Sequence, residues 1–165
     1  MEKQIQSLNL STNAINMYEH STTVRVRYAE TDRMDVVYYG NYAMYFEVAR
    51  VEAMRSVGFS YKDMEDNGVM MTVLESHFRY LKPGKYDELL TIKTRIPEIP
   101  GVRIRFEYEV YNESMDLITE GWTTLAFLKK DSHHPTRPPG NLLALLKTNW
   151  KGCSSAVNLQ FKITI

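Results

Sequence analysis

Two carboxylates stand three residues apart, Asp32 and Asp35, in the stretch TDRMDVVYYGNY that covers residues 31–42. Valines, tyrosines and a Gly-Asn pair follow, and after them an apolar run with helical spacing. A carboxylate just ahead of a helix start lies near backbone N–H groups that have no partner inside the helix, and near the positive end of the helix dipole. A carbonyl bound there would be polarised beside an acid able to act as base or nucleophile. The competing reading is loop chemistry alone, because aspartate bonds its own local backbone and tolerates turn geometry. Which reading the two positions support depends on the elements that hold them.

Ahead of the acids, TTVRVRY alternates Val24, Val26 and Tyr28 with Arg25 and Arg27, the period of a strand with one buried face. Ala29 to Gly40 breaks that pattern and reads as a loop. From Asn41 the residues Tyr42, Tyr45, Phe46, Ala49, Ala53 and Val57 recur at three- and four-residue spacing, and Gly58 offers a stop. The spacing predicts a helix from Asn41 to Val57, with Asn41 as its N-cap. Met44, Val48 and Val51 widen its apolar surface, so it needs cover on more than one side, such as a strongly curved sheet provides. Ser60 with Asp63 predicts a short helix ending near Asn67 and Gly68. Strand texture follows: VLESHFRYL into a Pro83-Gly84 turn, then ELLTIKTRI, RIRFEYEVY and LITEGWTTLAFL. Short turns between them favour antiparallel neighbours. HHPTRPPGN reads as a linker and LLALLKTNW as a short amphipathic helix. In VNLQFKITI, Val157, Leu159, Phe161, Ile163 and Ile165 share one face of a strand that needs a partner.

The chain as a whole bounds these readings. Its 165 residues suit one compact domain, and 44% apolar with 24% charged residues is ordinary globular composition. Twenty basic against twenty acidic residues removes the electrostatic drive toward nucleic acid or anionic membrane. A single cysteine, Cys153, permits no intrachain disulfide and no thiolate metal cluster, which suits a reducing compartment. No stretch is apolar for long enough to span a bilayer, and residues 1–20 lack the apolar segment of a secretory signal. The expectation is a cytoplasmic protein with a polar arm over 1–20, a folded domain over 21–130, and a linker, short helix and strand or tail over 131–165.

The run RYAETDRMDVVYYGNYAMYFEVAR, with its leading strand, resembles the hotdog-fold acyl-CoA thioesterases of the 4-hydroxybenzoyl-CoA thioesterase type. The similarity extends from Thr22 to Lys130 and includes the helix ending in R-x-x-G and the segment YLKPGKYDE. The resemblance implies an α+β hotdog fold, an antiparallel sheet wrapped around a long central helix, and hydrolysis of an acyl-CoA thioester without metal or organic cofactor. It places the catalytic aspartate on Asp32, either as nucleophile or as the base that activates water. It places the backbone donor to the thioester carbonyl on Tyr39, where many relatives have histidine. Tyr38, Gly40 and Asn41 fall at the substrate-facing helix entry. Arg79 and Lys82, near the proline turn, are candidates for the CoA phosphates. Asp35 stands where relatives usually carry glycine, and its side chain is expected to face solvent. A homodimer joined sheet edge to sheet edge, paired again into a homotetramer, is implied as well. Other readings of the same pocket are an acyl-carrier-protein thioesterase and a non-catalytic acyl-ligand-binding module.

The remaining ionisable residues read as structural. Glu47 is spaced to pair with Arg50 on the helix surface. His77 sits mid-strand, His133 and His134 lie in a proline-rich loop without metal-ligand spacing, and Cys153 has no nucleophile context.

Overall fold

The computed structural model describes residues 17–150; the first sixteen residues of the expected arm, Cys153 and the expected strand over 157–165 lie outside the described residues. In chain order the elements are β1 (Tyr18–Arg25), a single 3-10 turn (Tyr28–Glu30), α1 (Asn41–Ser56), α2 (Tyr61–Asp66), β2 (Val69–Tyr80), β3 (Leu89–Ile96), β4 (Arg103–Tyr111), β5 (Leu117–Lys129) and α3 (Gly140–Thr148). The strands form one sheet in the order β1-β3-β4-β5-β2, and every neighbouring pair is antiparallel.

Alternation builds the sheet's buried face. In β3 and β4 every second residue is buried, among them Leu90, Ile92, Ile104, Phe106 and Tyr108, while the residues between them are at least partly accessible. α1 lies on that face. Tyr42, Tyr45, Phe46, Ala49 and Ala53 are all buried there, as their spacing predicts, and Met54 is buried with them. Each large apolar side chain fully removed from water contributes about 1.5–3 kcal/mol, so this seam is the main source of the fold's cohesion. The opposite side of α1 keeps Met44 and Val48 nearly half exposed. Element order, the antiparallel sheet and the helix seated on it together make an α+β hotdog fold.

Three local expectations need correction. β1 begins at Tyr18 rather than at Thr22, because the Tyr18 hydroxyl donates to the Ala53 carbonyl at 2.7 Å and also bonds Ser56 on α1. Tyr28 does not continue the buried alternation; it opens the 3-10 turn, 79% exposed, with its ring edge-on to Tyr86 at 5.7 Å. Arg50 is buried rather than at the surface, and its pair with Glu47, at 3.4 Å, reaches from the interior to an exposed acid.

Gly121 on β5 leaves room for both a neighbouring strand and α1. A Cβ placed there would come within 2.2 Å of the His77 carbonyl oxygen and 2.9 Å of the Phe46 ring, so the missing side chain makes room for both neighbours. Gly121→Ala is expected to lower stability by about 1–3 kcal/mol through overpacking, measured as a lower denaturant midpoint at unchanged m-value.

Candidate active site

The loop carrying Asp32 is fixed by its own backbone before any side chain is considered. Asp32 N–H donates to the Val36 carbonyl at 2.9 Å, Asp35 N–H to the Asp32 carbonyl at 3.0 Å, and Val37 N–H to Gly84 at 2.8 Å. Asp35 takes a φ of +60°, the left-handed region that glycine enters most easily and that aspartate tolerates better than most residues. This conformation gives a physical reason for the glycine expected there, and the exposed Asp35 side chain agrees with the solvent-facing reading.

The Asp32 carboxylate does part of the loop work itself. Its Oδ1 accepts the Met34 N–H at 2.7 Å, an Asx turn, while Oδ2 has no partner among the described residues. The loop-forming reading of this acid is thus realised in one oxygen, and the other has no partner among the described residues.

The entry to α1 is tight. Asn41 N–H donates to Tyr38, Tyr42 N–H to Tyr39, and Ala43 N–H to Gly40, a 3-10-like first turn. Among the described residues the N–H groups of Tyr39 and Gly40 have no acceptor. Gly40, the residue just ahead of the helix, supplies one of the orphan donors expected at a helix start, and Tyr39 adds a second beside it. Asp32 and Tyr39 line one cleft of about 360 Å³, together with Val37, Tyr42, Tyr80 and Lys82. The Tyr80 hydroxyl donates to the Tyr39 carbonyl at 3.2 Å, tying β2 to this entry. Burial raises the Tyr42 and Tyr80 phenols above their ordinary range, so both remain protonated at neutral pH.

The other residues singled out from the sequence occupy supporting positions. Gly40, not Asn41, is the N-cap residue of α1; the Asn41 side chain instead donates to the Glu30 carbonyl at 2.6 Å. The Tyr38 ring packs on Tyr39 at 4.4 Å and occupies the space beside Gly40, where a Cβ would meet it at 2.7 Å. Lys82 reaches the cleft wall but is paired with Asp116 at 2.8 Å. Arg79 is paired with Glu120, its cross-strand neighbour on β5, at 2.9 Å and does not line the cleft. His77 stacks on Trp122 at 5.8 Å, also away from it.

Sequence reasoning missed Glu30, which is 4% exposed. Its carboxylate accepts the Arg27 backbone N–H and the Arg27 Nε–H, each at 2.8 Å, a further bond from the Arg27 guanidinium, and the Tyr45 hydroxyl at 2.8 Å. Its carbonyl accepts both the Tyr38 N–H, at 2.9 Å, and Asn41. The signal was present as the three-residue step from Arg27 to Glu30, the spacing of a capping box, but with arginine where serine or threonine usually stands. Burial alone would raise the Glu30 carboxyl; the donors of Arg27 and Tyr45 outweigh that and hold it below the usual glutamate range. Burial, and then the Glu30 charge, push the Tyr45 phenol upward.

A group with a depressed folded-state pKa stabilises the fold above its unfolded-state value and loses that contribution as pH falls through the folded one. Glu30→Gln is therefore expected to cost about 1–3 kcal/mol at neutral pH. Its difference from wild type should shrink as pH falls below about 4.3. Denaturant titrations of both proteins across this window measure it.

The family model of the thioesterase superfamily matches residues 34–119. The YneP protein of Bacillus subtilis is 34% identical over 119 residues, covering 72% of this chain and 86% of YneP. The acyl-CoA thioester hydrolase YbgC of Escherichia coli is 28% identical over 124 residues, covering 75% of this chain and 92% of its own length. The crystal structure of a DHNA-CoA thioesterase from Staphylococcus aureus superposes with a TM-score of 0.70 at 40% identity, covering 72% of this chain and 80% of that one.

Proposed function

The chain belongs to the thioesterase superfamily, and from that premise we propose that it hydrolyses an acyl-CoA thioester to the free acid and CoA, with Asp32 delivering the attack. The observation that carries this reading is the pairing of opposites in one cleft: Asp32 with a free carboxylate oxygen and Tyr39 with an unpaired backbone N–H. The carboxylate serves an electrophilic carbon, and the amide serves the oxygen that becomes negative as that carbon turns tetrahedral.

Asp32 Oδ2 either bonds the acyl carbon directly, giving a mixed anhydride that water then opens, or removes a proton from a water that attacks the same carbon. In both routes the C–S bond breaks, the thiol leaves with a proton, and the acid gains the oxygen of water. The Met34 N–H holds Oδ1 and so fixes the direction of the working oxygen. Tyr39 donates through its main chain, a role that does not depend on the phenol. Asp32→Asn keeps the Asx turn but removes the charge. Its turnover on a panel of acyl-CoAs should fall about a hundred- to ten-thousand-fold with an unchanged thermal midpoint. Wild-type rates in a correctly folded variant would eliminate the mechanism.

We also assign a cytoplasmic homodimer, paired again into a tetramer, as the working form. β2 is a twelve-residue strand at the sheet edge, paired on one side only among the described residues, with Val73 and Leu74 nearly half exposed. Such an edge is a template for a second copy. Sedimentation equilibrium should give at least twice the 19.2 kDa chain mass, and a monomer at micromolar concentration would refute the assembly.

A further inference from the structure

We propose that Phe78 limits the length of the acyl group the cleft accepts, by plugging an apolar seam that leads from the cleft wall into the space between α1 and the sheet. The proposal rests on the thioesterase reading of the cleft and adds to it a residue that sets specificity.

The plug is visible as an unbroken series of ring contacts. Tyr42 and Tyr80, which line the cleft, lie 5.4 Å apart. Tyr80 and Phe78, two residues apart on one face of β2, stack nearly parallel at 6.2 Å. Phe78 stacks on Phe46 of α1 at 4.9 Å, and Phe46 on Tyr108 of β4 at 4.0 Å. Phe46 and Tyr108 are fully buried, so neither ring has free space to turn into. Phe78 faces Gly121 across the β2–β5 pair, and the absent side chain of Gly121 is what lets Phe46 reach it.

The far end of the series is closed in a second way. Tyr108 lies beside the buried Arg50 guanidinium, as does Tyr61. Arg50 Nε and the Tyr61 hydroxyl are buried without a hydrogen-bond partner among the described residues. An alkyl chain pushed that far would press against polar atoms it cannot satisfy. A chain longer than the cleft must therefore displace stacked rings and then meet an unsatisfied polar wall. Compact acyl groups avoid both costs. Of the rings beyond the cleft wall, Phe78 is the one on the edge strand β2 and is only partly buried, so its removal opens the route while Phe46 and Tyr108 stay packed.

The experiment compares kcat/KM over a series of saturated acyl-CoAs from butyryl to palmitoyl for wild type, Phe78→Leu and Phe78→Ala. Binding of the matching non-hydrolysable thioether analogues is measured in parallel. In wild type both readouts should fall with chain length beyond the short members. In Phe78→Ala the palmitoyl-to-butyryl ratio should rise by about tenfold or more, with Phe78→Leu between. If Phe78→Ala does not fold, Phe78→Leu alone decides, because leucine keeps the strand packed while shortening the plug. An unchanged ratio in a folded variant, or wild-type preference for palmitoyl over butyryl, overturns the proposal. Absence of turnover on every thioester would count against the thioesterase reading instead, and the thioether binding series would still read the length limit.

Discussion

A buried carboxylate is costly unless its charge is matched, and the whole cleft is arranged around one that is. Glu30 takes four hydrogen bonds on its side chain, three from Arg27 and one from Tyr45, and two more on its carbonyl, from Tyr38 and Asn41. These join the end of β1, the loop and the first turn of α1 at a single residue. The acid loop cannot drift relative to the helix without breaking several bonds in a site shielded from water. That rigidity is what a reaction needs when one oxygen must approach a carbon while an amide holds the oxygen beside it.

The unpaired donors at the helix entry follow from the same knot. Because the Glu30 carbonyl takes the Tyr38 N–H and the Asn41 side chain, the chain enters α1 through short-range bonds from Asn41, Tyr42 and Ala43, and Tyr39 and Gly40 are passed over. Asparagine at 41 is therefore a strap rather than a cap. Its amide does not compete for the N–H groups that a substrate oxygen would use. The local architecture spends its side-chain hydrogen bonds on loop position and leaves two main-chain donors without an acceptor among the described residues.

Much of the fold could be read from periodicity because the forces involved are themselves periodic. The seam of α1 from Tyr42 to Val57, the alternation through Ile104, Phe106, Tyr108 and Val110, and the Ser60 cap, whose side chain accepts from Asp63, all lie where their spacing put them. The site was legible to the extent that Asp32 and Tyr39 flank a helix start, and the structure seats both at one cleft. What escaped were contacts set by individual polar atoms across long separations. Tyr18 joins the sheet because its hydroxyl finds Ala53, thirty-five residues away. Glu30 looks like any loop acid until the fold brings Tyr45 to it, and Arg50 looks like a surface cation until α1 turns it inward. No window of neighbouring residues contains that information.

The two cations singled out near the proline turn differ in where their pairs hold them. Lys82 lies at the cleft wall with its ammonium held by Asp116, and that pair, with Asn112, keeps the Asp116 carboxyl below its ordinary range. Both partners are substantially exposed, so water screens their attraction and the pair adds little to stability. A weak exposed pair is easily exchanged. The multiply charged phosphate handle of an acyl-CoA would offer Lys82 a stronger acceptor than one carboxylate does, and Asp116 would keep its Asn112 contacts through the exchange. Arg79, paired with Glu120 farther along β2, is open to the same exchange but stands outside the cleft. Lys82 thus combines a place at the cleft wall with a weak pair, and Arg79 shares only the second of those properties.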